Sequence, residues 1–449
     1  MRLTSIVINI LIVIMYRSVY GQQNTDTLVE TKANNKTIQS DYVIKKKAPR
    51  QYHKLQKIQT KYLHWIDKKN REFPFAVPAI AYNKYDGVQV GAALINLKQP
   101  IKNVDFTATL FYGIKSRKAN GTAKIDYYAR IKKSAVTLIK PGLKFQSFTY
   151  ANFSQPLKYY VLSPEILLQL NHKTEKLEKI EHQLLFKNNT VLLKDLTLDA
   201  FNQLNKDTLT RFYANTLRYT FKRNDENFPV SASLNIEQTK HFVKTYFEAN
   251  SFIRYQLKDY KTGVHLRMFV GGFLWRSNNF RFRLHPDVGF NLNGKRGEQD
   301  YLYNDIYLGR NEQANFSGRQ ITKSDGFFKV TTPFNAIETG QTVDWLLAFN
   351  LKIDFPIKYV PLKLFLDLGY SFDNHLNPNN LLPIKGFQYD GGFMLSFFEE
   401  GFEIYFPLFY SKEYKTYIKS NAPKFGQRIT FLMDLHKLEM HKKIRTMKF

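Results

Sequence analysis

The stretch that decides the fold runs from Asp344 to Phe355, DWLLAFNLKIDF, and is answered a few residues later by LKLFLDLGY over Leu362–Tyr370. In the first, Trp345, Leu347, Phe349, Leu351, Ile353 and Phe355 occupy one set of alternate positions. Asp344, Leu346, Ala348, Asn350, Lys352 and Asp354 fall in the other. In the second, Leu362, Leu364, Leu366, Leu368 and Tyr370 alternate with Lys363, Phe365, Asp367 and Gly369. A strand turns successive side chains to opposite faces, so each segment has one large apolar wall and one wall that admits charge. No helical period fits either run.

The pattern spreads in both directions. Downstream, Phe387, Tyr389, Gly391, Phe393, Leu395 and Phe397 oppose Gln388, Asp390, Gly392, Met394 and Ser396. The series Phe402, Ile404, Phe406, Leu408 follows, and then Ile429, Phe431, Met433 and Leu435. Upstream, Phe106, Ala108, Leu110 and Tyr112 oppose Asp105, Thr107 and Thr109, while Ala123, Ile125, Tyr127, Ala129 and Ile131 alternate with Lys124, Asp126, Tyr128 and Arg130. The runs are about 9–13 residues long, the length of a tilted membrane-spanning strand, against about 5–6 in soluble sheets. An apolar wall of that length suits lipid, and a wall that accepts charge suits a lumen. An open edge would leave backbone groups unpaired in hydrocarbon, so such a sheet has to close.

The sequence therefore predicts an all-β chain: a transmembrane antiparallel β-barrel of about 14–16 strands over residues 72–440, with a short N-terminal periplasmic segment. Trp345, Leu347, Phe349, Leu351, Ile353, Leu364, Leu366, Phe393 and Phe397 are expected to face lipid. Lys124, Asp126, Arg130, Asp344, Asn350, Lys352, Asp354 and Asp367 are expected to face the lumen. The ordinary reading of those inward charges is a salt-bridged, solvated interior; the sharper one is a pore that selects ions.

Two regions stay open at this level. Residues 165–205 read as two strand pairs or as partly helical, since Leu and Glu are abundant there. Residues 283–334, rich in Gly, Asn, Asp and Arg, read as a long loop with one strand inside, lying outside the membrane or folded into the lumen as a plug. The pairs Gly271-Gly272 and Gly391-Gly392 sit inside strand patterns and suggest a bend or bulge. Asp86-Gly87, Asp325-Gly326 and Asp390-Gly391 suggest hairpin turns, although Asp390 also falls in the lumen phase of its strand.

At the N-terminus, Arg2 precedes an apolar run from Ile6 to Met15, with Val19 and Gly21 at a plausible cleavage point. That run is short for a membrane span and predicts a cleaved signal peptide over 1–21 and export to the outer membrane. Residues 22–71 are polar and basic, with a short amphipathic helix expected between Tyr52 and Lys69, and 441–449 form a basic tail ending in Phe449.

Composition narrows the chemistry. The 449 residues include 38 Phe and 28 Tyr, the residues that favour strands and interfacial girdles, and mean hydropathy is negative, which excludes a bundle of membrane helices. There is no Cys, so thiolate zinc sites, disulfides and a Cys nucleophile are excluded. The formal charge of +28 is scattered rather than striped. That favours an anionic lipid or lipopolysaccharide surface as partner, and no nucleic acid is expected. Among the ten His no H-E-x-x-H occurs; His436 and His441 are five apart with Glu439 misplaced, and His172 and His182 flank a Lys/Glu-rich turn. Serine-hydrolase elbow, P-loop and dinucleotide fingerprint are all missing. No catalytic, metal or cofactor residue is assigned, and the expectation is a non-enzyme.

Five phrases belong together: PAIAYNKYDGVQVGAALIN at 78–96, SDGFFK at 324–329, WLLAFNLKIDFP at 345–356, LFLDLGYSFD at 364–373 and YDGGFMLSFF at 389–398. As a set they resemble the C-terminal outer-membrane barrel attached to M1-type (gluzincin) zinc metallopeptidases of Bacteroidetes-like bacteria, and more loosely the D15/Omp85 surface-antigen barrels. The resemblance implies a porin-like or surface-antigen barrel whose peptidase, if any, is a separate periplasmic or surface polypeptide. Only about fifty residues lie between the expected signal peptide and the first strand, too few for a peptidase module. The function expected is an integral outer-membrane barrel acting as pore, anchor or secretion/assembly platform. The alternatives are a barrel-embedded hydrolase, in which His265 or His285 would matter, and a soluble basic β-protein that binds polysaccharide or nucleic acid.

Overall fold

The computed structural model describes residues 74–434 except 97–102, 132–133, 153–155, 171–179, 199–203, 226–227, 256–261, 278–287, 311, 331–339, 356–360, 373–385 and 399. The expected signal peptide, polar tail, short helix and C-terminal tail lie outside the described residues, as do His172, His285, His436, His441 and Glu439.

The wall is a meander. It opens with β1 (Pro74–Asn83), β2 (Gly87–Asn96), β3 (Val104–Gly113), β4 (Lys118–Tyr127) with its two-residue continuation β5 (Ala129–Arg130), β6 (Val136–Asn152) and β7 (Pro156–Leu170). It continues through β8 (Ile180–Leu198), β9 (Leu204–Arg223), β10 (Val230–Gln238), β11 (Phe242–Arg254) and β12 (Gly263–Arg276). After a long connection carrying β13 (Phe290–Asn291), β14 (Gln320–Ile321) and β15 (Gln341–Thr342), it resumes with β16 (Trp345–Asp354), β17 (Leu362–Ser371), β18 (Gly386–Phe397), β19 (Phe402–Tyr410) and β20 (Thr430–Met433). A helix, α1 (Lys412–Asn421), joins β19 to β20. The main sheet has 18 strands; without β5 and the connection-borne β14, sixteen successive antiparallel strands form the wall. Where it is described, the undecided stretch after residue 165 is strand: β7 and β8 pair from Tyr159↔Leu193 to Leu170↔His182.

Why these residues make strands is visible in the two faces. Ile80, Leu110 and Phe387 are 70%, 67% and 60% exposed, although each is large and apolar. The residues beside them point the other way: Gln89, Asn120, Gln146, Asn350, Asp367 and Gln388 are buried. The burial order is inverted relative to a water-soluble sheet, as a lipid-facing wall requires. Stacked rings such as Phe393 and Phe406, centroids 4.6 Å apart, reinforce the outer face across strands.

The inner face is filled by described stretches of the connection between β12 and β16. At one end of the sheet the Arg310 amide donates to Tyr85 Oη at 2.8 Å, and at the other Thr430 Oγ1 donates to the Lys329 carbonyl at 2.8 Å. Laid flat, sixteen strands would span roughly 70 Å. One short segment touches both ends, so the sheet curls around it. Three apolar clusters form where this plug meets the wall. The first joins Phe269, Leu346 and Ala348 of the wall to Phe290, Leu292, Phe328 and Val330 of the plug, and to Tyr414 and Ile418 of α1. The second seats Ile321 and Phe327 against Phe365, Met394 and Tyr405, and the third packs Tyr303 and Ile306 onto Phe148, Tyr159, Val161 and Val191.

Closure is where the wall departs from a simple cylinder. No ladder joins β1 to β20 among the described residues. Instead β14 lies parallel along β20, Gln320 opposite Phe431 and Ile321 opposite Leu432. Phe431 has the outward phase, yet it is buried, because the Phe316 ring stacks on it at 4.9 Å.

The glycine pairs divide. A register shift occurs at Gly391/Gly392, opposite an extra residue in β19. At Gly271 and Gly272 the ladder is regular, and the shift of β12 against β11 falls farther along, at Val243/Lys244. Here the constraint is ring packing: a Cβ at Gly271 would lie 2.9 Å from Phe290, and one at Gly272 2.4 Å from Trp345. Asp86-Gly87 does form the β1–β2 turn, with Gly87 at φ +70°.

A charge on the outer face tests this inversion. Leu347→Lys is expected to cost about 2–4 kcal/mol of stability in lipid vesicles, the usual penalty for Lys on a barrel's lipid face, read as a shifted denaturant midpoint. An unchanged midpoint would mean that this face does not meet hydrocarbon.

Candidate functional site

The plug is fastened to the wall by Lys329, which has no solvent exposure. Its approach is set by the turn Ser324–Phe327. Asp325 and Phe327 take φ of 49° and 53°, and Gly326 lies so close to Leu292 that a Cβ would come within 2.5 Å of that residue's carbonyl oxygen. This turn drives the ammonium into the wall. Nζ donates to both Asp367 carboxylate oxygens at 2.9 Å and to the Phe327 carbonyl at 2.8 Å, and lies 4.0 Å from the centre of the Phe327 ring. Asn350 donates to Asp367 Oδ1 at 2.8 Å and to the Gly326 carbonyl at 2.9 Å. Asp390, opposite Asp367 in the β17–β18 ladder, accepts the backbone amides of Lys329 at 2.9 Å and Val330 at 2.8 Å. One ammonium faces two carboxylates, a set that is neutral when the carboxylates share a proton. Burial pulls the Lys329 ammonium below the ordinary lysine range, opposed by Asp367 and Asp390.

A second anchor lies toward the first strands. Arg310 is buried among three tyrosines, its guanidinium 4.4 Å from the ring centre of Tyr303 and 5.0 Å from those of Tyr159 and Tyr307. It donates to the Gly297 carbonyl at 2.9 Å, Asp300 Oδ2 at 3.1 Å and the Asp305 carbonyl at 2.7 Å. Burial works against its charge, but Tyr159 and Asp300 raise its pKa above the usual arginine value. Close by, burial and then the Asp300 carboxylate push the Asp305 carboxyl up to about 6. Between the anchors, Lys244 of β11 donates to the Val288 carbonyl at 3.2 Å and pairs with Glu237 at 3.2 Å, and Glu237 also takes the Tyr301 hydroxyl.

The inward-phase residues named from sequence fall into separate sets. Asn350 and Asp367 belong to the Lys329 site. Lys352 pairs with Glu400 at 2.7 Å and Glu403 at 3.2 Å, while Asp354 pairs with Lys363 at 3.0 Å and His265 at 3.2 Å. On the far side of the wall Lys124 meets Glu165 at 2.8 Å and Asp126 at 3.6 Å. Asp344 meets Arg276 at 3.3 Å at the mouth of the plug connection, and Arg130 is exposed in β5. Trp345, Leu347, Phe349 and Leu364 are exposed, and Leu351, Ile353, Leu366, Phe393 and Phe397 are half-buried in the same outward phase. His265 contacts carboxylates, and among the described residues no three His, Asp or Glu form a metal-holding group. Lys329 and Arg310 escaped the sequence reading. The cue was SDGFFK, where two Phe beside a Lys suit a buried anchor better than a wet loop.

No family model matches the sequence, and no curated protein matches it. Among solved structures the chain is similar to BamA from Haemophilus ducreyi lacking POTRA domains 1-3, with 10% identity, TM-score 0.44, and 75% of this chain against 67% of that one covered. It is also similar to CdiB from Acinetobacter baumannii (11% identity, TM-score 0.37, 76% of this chain covered) and CdiB from Escherichia coli (10%, 0.40, 75%). The chain spans 57% and 59% of the length of the two CdiB chains. At these scores the likeness assigns no residue a role.

Two outcomes follow from the anchors. Lys329→Met leaves two buried carboxylates uncompensated and is expected to cost about 3–5 kcal/mol, seen as heat-modified gel migration at lower temperature, with part of the loss recovered in Lys329→Met/Asp367→Asn. Equal stability of the single variant and wild type would remove the anchor. For Asp305 the folded carboxyl holds its proton more tightly than its ordinary value of 3.8 allows. Its contribution is therefore fully present below that value and lost as pH rises through about 6. Limited proteolysis of the plug should accelerate across that window in wild type and stay flat in Asp305→Asn.

Proposed function

We propose that this protein is an integral outer-membrane barrel, plugged by its own long connection, that serves as a secretion or assembly platform and not as an open diffusion pore. The observation that carries the reading is that one segment does two things. Its stretches Val288–Arg310 and Ile321–Val330 pack against the inner wall, and through β14 it holds the edge of the last strand. A barrel of this strand number left empty would enclose an aqueous channel. Here the channel is occupied, and occupied by groups that are ion-paired to the wall. Two-residue pairing at the edge of a four-residue strand is a small contact by the standards of the neighbouring ladders, so the β1–β20 seam is the place where the wall can most easily admit or release a polypeptide segment.

Catalysis has no part in this reading. From the resemblance of the five sequence phrases to barrels that accompany zinc peptidases, we further propose a separately encoded periplasmic or surface peptidase as the protein partner to look for, with the barrel as its anchor. Phosphate-bearing lipids of the outer membrane supply the surroundings that suit the charge of +28.

The test is electrical and then chemical. In planar bilayers the full chain should conduct little, and Lys329→Met should raise conductance severalfold by loosening the plug. Cysteines placed at Ile321 and Leu432, parallel partners in a chain that has no other cysteine, should lock the seam when oxidised. Large wild-type conductance, unchanged by Lys329→Met, would make the protein a pore instead. Full activity of a seam-locked chain in exporting or inserting its client would exclude the seam.

A further inference from the structure

We propose that the outer face of β8–β10 carries a lipid-headgroup site, in which a row of side-chain amides binds the phosphate and ester oxygens of an acyl lipid. The row is set by register: Asn188 lies directly opposite Asn215, and Asn215 directly opposite Gln238. Asn188 Nδ2 donates to Asn215 Oδ1 at 2.7 Å, Asn215 Nδ2 donates to Gln238 Oε1 at 2.8 Å, and Thr190 Oγ1 donates to Asn188 Oδ1 at 2.9 Å. These residues share the outward phase with Phe186 and Tyr213, both exposed, while Asn189, Ala214 and Glu237 beside them are buried on the plug side.

Hydrogen-bond accounting gives the ligand class. An amide has two N–H donors and one carbonyl. Every carbonyl oxygen in the row accepts a bond from its neighbour. Asn188 and Asn215 each use one N–H within the row, and Gln238 uses one on the Thr239 carbonyl at 3.3 Å. What the row keeps for a ligand is three N–H donors, with one lone pair left on each carbonyl oxygen, and the phosphate and ester oxygens of a lipid head satisfy the donors. Hydrocarbon supplies no acceptor, and donors left bare in it are costly.

The shape agrees. The β7–β8 ladder skips Ser163 and Pro164, because proline has no N–H to give. The resulting notch is part of a cleft of about 560 Å³ whose apolar lining includes Pro141, Pro164, Ile166, Phe186, Leu217 and Ile236. On each strand the apolar residue two positions from the amide lies on one side of the row, toward the start of β8, and Tyr213 lies on the other. The amides thus sit at a border between an apolar band and a polar rim, where an acyl chain ends and its ester and phosphate begin.

This inference rests on the outer-membrane reading of the wall, and the experiment separates the two. The full chain, purified in detergent, is mixed with phosphatidylethanolamine and weighed intact by native mass spectrometry. Wild type should retain one lipid that survives detergent exchange. Asn188→Leu/Asn215→Leu should lose at least tenfold in retained lipid, and Asn188→Gln/Asn215→Gln, which keeps the donors, should stay within about threefold. Equal retention by the Leu variant, or no retained lipid on a wild type that still shows heat-modifiable migration, overturns the site and leaves the barrel standing. A chain that is soluble without detergent overturns both.

Discussion

A lysine ammonium with no access to water dictates its surroundings. Removing the charge from solvent is unfavourable by several kcal/mol unless carboxylates and carbonyls stand in fixed places around it. Lys329 has that arrangement, and the groups that supply it come from β16, β17, β18 and the plug's own turn. The wall strands cannot shift in register without stranding a charge. The plug cannot leave without doing the same to Asp367. Plug and wall are therefore one folding unit, and the contribution of the pair is to specificity of arrangement more than to net stability.

The polar inner face makes sense only with the plug in place. Alternation along each strand puts half the side chains inside whether or not anything fills the lumen. Where the plug reaches, those side chains are satisfied by it: Asn350 by Gly326, Lys244 by Val288, Lys187 by Asn304 at 2.9 Å. Where it does not reach, the strands satisfy one another, as Lys124 does with Glu165 and Lys352 with Glu403. Arg310 differs in kind. Most of its partners are plug groups, with Tyr159 and, through the Arg310 amide, Tyr85 the wall's contributions, so it fixes the shape of the plug as well as its position.

Period-two alternation was legible because a sheet with one apolar and one polar face tolerates few exceptions to it. The all-β class, the phase of every late strand and the upper end of the expected strand number could all be read from runs such as 344–355. Residues 165–205 were ambiguous for a physical reason: Leu167-Leu168 and Leu184-Leu185 put apolar groups on both faces, and the inward ones blur the pattern. The plug's destination was not legible at all. It depends on contacts as remote in sequence as Arg310 to Tyr85, which no local pattern encodes. Asn350 and Asp367 could be assigned to the interior from their phase, whereas Lys329, in a segment without periodicity, could not.

The seam ties these elements into one mechanical argument. Ile321, which pairs with the last strand, and Lys329, which holds the plug, are joined by a short turn packed against Leu292. Thr430, the first residue of β20, also bonds to the Lys329 carbonyl. The edge of β20 and the buried ion pair are thus held through the same few residues. Any movement that frees β14 from Phe431 pulls on the turn that positions Lys329. Any loss of the Lys329–Asp367 pair in turn slackens β14. On the proposed reading, opening of the seam and release of the plug are therefore coupled.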